Sequence, residues 1–145
     1  MPVVDFPFIQ PIAQCPKRPM LWVRVTNPHS EHSIRTYGLI DTGADECALP
    51  ARYADLLGHN LEAGPIKKVS TASGITTAYS HTCKIEIFDT DAYRHGQENV
   101  VYTISEAPID FMPHLNCVLL GVENFLGQFV LTVDYLREVF SLRKP

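Results

Sequence analysis

The sequence predicts a single all-β domain, a closed barrel or sandwich of short strands with one or two short helices. Composition points there first: Val, Ile, Thr, Tyr and Phe are plentiful, and eleven prolines stand against eight glycines, a mix that favours short strands. Turn signals then recur roughly every 8–12 residues, the spacing of a barrel or sandwich rather than of βαβ units. Size and polarity complete the case. A chain of 145 residues is one domain's worth, and 46% hydrophobic against 19% charged residues excludes wholesale disorder. A chain of this length buries enough surface to fold without a metal or disulfide staple.

The first nineteen residues carry four prolines before Lys17 and lack both a positive n-region and an apolar core. They read as an extended arm rather than a secretory signal. Met20–Thr26 alternates and reads as a strand, NPHSEHS as a polar turn, and Ser33–Ile40 as the second strand of a hairpin. Glu46–Pro50 is a short strand. Pro50 then opens ARYADLLG, the one helix expected in the first hundred residues, with Gly58 placed to end it. Ile66–Ser70 and Ile75–Phe88 are strands around Ala72-Ser73-Gly74, and DTDAYRHGQE is a loop. Asn99–Ser105 is a strand, while Ala107–His114, with two prolines, is expected to be irregular. Cys117–Leu120 is an apolar strand ending at Gly121, Glu123–Leu126 a helical turn, and Phe129–Val133 with Glu138–Leu142 a closing hairpin. No repeat of domain-building length is visible.

Several function classes fall away. A net charge of −4 and a pI near 5.8 argue against nucleic-acid binding, and no apolar run is long enough to span a membrane. Cys15, Cys47, Cys83 and Cys117 are about thirty residues apart, which excludes a CxxC zinc pair; reduced thiols in a cytoplasmic protein are expected. Six histidines lack any HExxH arrangement, and no GxSxG elbow or calcium-loop pattern is present. No metal and no cofactor are therefore expected.

The informative segment is Leu39-Ile-Asp-Thr-Gly-Ala-Asp-Glu-Cys-Ala-Leu-Pro50. It sets a carboxylate, Asp41, directly after two apolar strand residues, with a hydroxyl on Thr42 and the permissive backbone of Gly43 behind it. Asp-Thr-Gly is also an ordinary turn tripeptide, so the surrounding pattern matters. LIDTGADECALP resembles the active-site loop of the retropepsin-like (retroviral-type) aspartic proteases. About seventy-five residues downstream, VLLGVENFL (Val118–Leu126) resembles the second motif of that family, and VSTASGITTAYSH (Val69–His81) stands between them where a flap hairpin belongs. The resemblance covers roughly Met20 to Leu142. It departs from many retroviral members at Val122, where they carry an Arg that contacts the acidic residue here at Asp45. It departs again in the proline-rich arm and the Asp89–Glu98 loop; both departures suit a cellular member.

The resemblance implies an acid-protease closed barrel spanning residues 20–145, with residues 1–19 as an arm of open role, either pro-segment or dimer element. It implies an endopeptidase acting on an extended polypeptide. The chain holds one Asp-Thr-Gly, and the mechanism needs two carboxylates sharing a proton, so an obligate homodimer follows. Asp41, Thr42 and Gly43 are the implied catalytic group. Ala44 and Asp45, with Ser73, Gly74 and Ile75 at the flap tip, are the implied substrate contacts. The alternative reading is a catalytically weak or inactive peptide-binding or dimerisation module on the same fold.

Overall fold

The computed structural model describes residues 3–145. Its strands, in chain order, are β1 (Val3–Pro7), β2 (Met20–Thr26), β3 (Ser33–Ile40), β4 (Cys47–Pro50), β5 (Ile66–Thr71), β6 (Gly74–Phe88), β7 (Val100–Met112), β8 (Val118–Leu120), β9 (Val130–Asp134) and β10 (Val139–Arg143). Two short helices, α1 (Tyr53–Leu56) and α2 (Thr90–Arg94), interrupt them.

The predicted hairpin forms, with Met20 opposite Leu39 and Thr26 opposite Ser33. Its alternation does the work: Leu21, Val23 and Val25 are essentially unexposed, one face of a strand turned to the core. Strands run β2-β3-β8-β4-β7-β6, and a second pairing of β2 with β6 returns the sheet on itself. The result is a closed six-stranded barrel, an arrangement that leaves no edge between its members. Arg24 lies opposite Glu86 across that closing seam. The pair is bidentate, with Nε to Oε1 at 2.8 Å and Nη2 to Oε2 at 3.0 Å, the strong form of an ion pair. Phe88, Phe111, Phe125, Ile85 and Leu120 fill the interior.

A separate three-stranded sheet, β1-β10-β9, packs outside. The N-terminal arm supplies its first strand, and Val3, Phe6 and Phe8 are buried against Phe140 and Leu142 in the same core.

Three expectations fail locally. DTDAYRHGQE is not all loop: Thr90–Arg94 is helical, and Asp89 caps it by accepting a hydrogen bond from the Asp91 N–H at 3.2 Å. One turn of helix with a good N-cap is too short for periodicity to reveal. Ala107–His114 is not irregular either. β7 runs through Pro108 as far as Met112, where Pro113 follows. Pro108 faces Thr82 on β6, one residue before pairing with β4 begins at Ile109. The ladder adjusts beside it, since Cys83 faces Ala107 but Ile85 faces Ile104, an extra residue in β7 that marks a bulge. The helical turn expected over Glu123–Leu126 instead forms as a 3-10 turn at Leu126–Gln128. Among the described residues no helix is long and apolar enough to cross a membrane.

Candidate active site

Two adjacent strands of the barrel bring the two sequence motifs together. β3 and β8 are parallel, with Gly38 beside Val118 and Ile40 beside Leu120. A Cβ at Gly38 would stand 2.7 Å from Leu120 Cγ, so glycine is what lets these strands pack. Asp41 leaves the end of β3, and its N–H donates to the Leu120 carbonyl at 3.1 Å. The loop after Asp41 is stitched to the segment after β8 twice more: Val122 N–H donates to the Ala44 carbonyl at 2.9 Å, and Glu123 N–H to the Asp45 carbonyl at 2.6 Å. Gly121 must be glycine for this contact, since a Cβ there would lie 2.5 Å from the Glu46 backbone.

The same loop fixes the Asp41 carboxylate. Its Oδ1 accepts from the Gly43 N–H at 3.0 Å. Asp41 is half-buried and stands on the floor of a cavity of about 550 Å³. Gly43 and Ala44 line the cavity beside it, Lys67 to Ala72 of the β5 side roof it, and Asp110 and Met112 of β7 form a wall. Thr42 lies next to Asp41 in the chain, is exposed, and does not line this space.

The predicted site residues divide between two places. Asp41, Gly43, Ala44 and Asp45 all line the first cavity. Ser73, Gly74 and Ile75 line a neighbouring depression of about 340 Å³ beneath the hairpin tip, which shares Thr71, Met112 and Leu115 with the first. The hairpin of β5 and β6 lies over the cavity as the pattern suggested, with Thr71 opposite Gly74 at its end. Gly74 has φ of +119°, a conformation side chains resist. The Val122 position is met by backbone: its N–H and carbonyl bond Ala44 and Gly127, and the Asp45 side chain remains exposed. Sequence reading missed Lys67 and Asp110, which come from separate strands and meet only when the barrel closes. A lone acid within the apolar run Ile109-Asp-Phe-Met112 was the available signal.

Among the described residues no group of three or more His, Cys, Asp or Glu is arranged to hold a metal ion.

No protein-family model matches the chain, and no curated protein sequence does. Solved structures do. A retropepsin-like aspartic protease from Rickettsia conorii is similar over 85% of this chain and 81% of its own, with 19% identity and a TM-score of 0.54. EIAV protease, solved in complex with the inhibitor HBY-793, is similar over 76% of this chain and 86% of its own, with 17% identity and a TM-score of 0.45. The fold of this chain is retropepsin-like; at such identity the likeness concerns fold alone.

Proposed function

We propose that the chain is an aspartic endopeptidase in which two protomers each contribute one Asp41. The observation that carries this reading is the placing of Asp41. It is a strand-end carboxylate whose Oδ1 is fixed by the Gly43 N–H, in a cavity of about 550 Å³ lined on one side by a hairpin. Two such carboxylates a few ångströms apart share one proton and titrate as a pair. The ionised member takes a proton from a water, whose oxygen attacks the scissile carbonyl carbon. The protonated member donates a hydrogen bond to the carbonyl oxygen, and the leaving nitrogen is protonated as the tetrahedral intermediate collapses.

Thr42, exposed beside Asp41, braces the two loops across the dimer. The Gly43 carbonyl and the Asp45 rim take main-chain hydrogen bonds of the peptide, and Ala44 lines the subsite next to the scissile bond. Ser73, Gly74 and Ile75 close over an extended substrate, which is strand addition beneath a hairpin. Residues 20–145 form the catalytic domain in this reading, and the arm 1–19 lends β1 to its outer sheet.

The test is cleavage of a peptide library with and without a statine-type inhibitor, whose hydroxyl mimics the tetrahedral intermediate. Asp41→Asn keeps the shape and removes the base, so kcat/KM should fall by several orders of magnitude with the thermal unfolding curve unchanged. Full activity in Asp41→Asn would remove the assignment. Peptide binding without cleavage in the unaltered protein would place the chain with the binding modules instead.

A further inference from the structure

Asp110 sits where strand logic calls for an apolar residue. Its neighbours on β7, Ile109 and Phe111, are 0% exposed, and Asp110 itself is 5% exposed while lining the same cavity as Asp41. Buried carboxylates are normally paired and fully hydrogen-bonded. This one is not. Lys67 Nζ lies 3.0 Å from Asp110 Oδ1 but is directed at Glu46 Oε2, 2.6 Å away. Asp110 Oδ1 therefore has charge proximity without a hydrogen-bond partner among the described residues. One ammonium serves two carboxylates, and one negative charge is left over.

The titration of the cluster agrees. Burial raises the Asp110 carboxyl above its ordinary value; Lys67 pulls it down, Glu46 pushes it up again, and the net shift is upward. For Lys67, burial works against the charged form, yet its hydrogen bond to Glu46 and the charges of Glu46 and Asp110 outweigh it and hold the ammonium above its ordinary value. The rest of the lining leans the same way. Asp41 and Asp45 add two negative charges, against the single further positive charge of Lys68. Ala48, Val69, Met112 and Leu119 supply apolar wall in the same cavity.

We propose that the wall formed by Asp110 and Glu46 is a specificity subsite that takes a lysine or arginine side chain of the bound peptide. The apolar wall covers the methylene stem, and the cation completes the pairing that Lys67 alone leaves short. A neutral side chain would leave the acid uncompensated, and a glutamate would add to the excess. The inference rests on the endopeptidase reading for its kinetic form, and on the cavity alone for its binding form.

The experiment is a set of peptides in which each position in turn is Lys, Arg, norleucine or Glu. At one position kcat/KM for Lys or Arg should exceed that for norleucine by about 10- to 100-fold, with Glu poorest. Asp110→Asn should bring the ratio of basic to norleucine peptide toward one, and Asp110→Leu should invert it. Equal rates with all four side chains at every position in the unaltered protein would overturn the subsite, whatever the variants do. Binding of the same peptides to Asp41→Asn protein, read by fluorescence anisotropy, separates the two claims. If the chain cleaves nothing but binds the basic peptides about tenfold or more tighter, the subsite stands and the endopeptidase reading falls. If it binds basic and norleucine peptides alike, the subsite falls.

Discussion

The four thiols occupy two kinds of place. Cys15 and Cys117 are partly exposed, while Cys47 and Cys83 are 1% and 0% exposed in the barrel core. Burial pushes the Cys47 thiol up to about 11, against a backbone hydrogen bond from Gly121 that pulls it back. Burial alone pushes Cys83 up to about 12. Cys83 has a histidine beside it, His59 Nε2 at 3.4 Å, the pairing of a thiol nucleophile. The electrostatics oppose that role: burial, His81 and His29 all lower His59, so no imidazolium is there to draw out a thiolate. Iodoacetamide at neutral pH should therefore modify Cys15 and Cys117, with Cys47 and Cys83 reacting only after unfolding. Mass spectrometry of digested protein checks this, and native labelling of Cys83 at the rate of Cys15 would contradict it. Both core thiols hold their protons more tightly folded than unfolded. Their contribution to stability is thus intact below pH 9 and is lost as pH rises from there toward 11 and 12. The melting temperature should be flat through neutral pH and fall in that alkaline window.

The hairpin of β5 and β6 lines one side of the cavity and, in the proposed reading, governs access to it. Residues 70–75 are all exposed, so the tip gains little from packing and belongs to the least stable part of the fold. Its cohesion is local. The Thr71 hydroxyl donates to the Gly74 carbonyl at 2.8 Å and accepts from the Ser73 N–H at 3.2 Å. Hydrogen exchange should be fast at these amides in the free protein and slow once a statine-type inhibitor lies beneath. Gly74→Val forces a β-branched residue to φ near +119°, strain of about 1–3 kcal/mol, and should lower kcat/KM without disturbing the barrel. Equal protection with and without inhibitor would make the hairpin a fixed part of the wall. This element was legible in the sequence because small polar residues at a tip between alternating flanks are a local pattern. So was the Asp41 loop, where five consecutive residues, Asp41 to Asp45, bear the motif. β7 was not: Pro108 reads as a breaker, and only the partners that closure brings beside it, β6 on one side and β4 on the other, keep it a strand. The Lys67–Glu46–Asp110 cluster was hidden for the same reason. Its members are separated by 21 and 43 positions, and nothing local joins them.

At the scale of the whole molecule the proposed mechanism turns on arithmetic: it needs two carboxylates, and each chain holds one Asp-Thr-Gly. In the proposed dimer a second copy would meet the surface around Asp41. Thr42 is exposed beside it, and Val122, on the segment stitched to the same loop, keeps 38% of its surface in solvent. Obligate dimers of this kind commonly bury on the order of 2,000 Å² or more, so specific activity should fall on dilution as dimer dissociates. Mixing gives a sharper test than dilution. Unaltered and Asp41→Asn chains combined one to one, unfolded and refolded together, should pair at random. Only about one quarter of the dimers then hold two Asp41 carboxylates, and activity should drop to about one quarter of that of the same total of unaltered protein. Chains that work alone would give one half, because every unaltered chain would keep its site. Sedimentation of the mixture fixes the state of assembly, so that a value of one half from a confirmed dimer would mean that each Asp41 acts without its counterpart and the shared-proton mechanism would have to be given up.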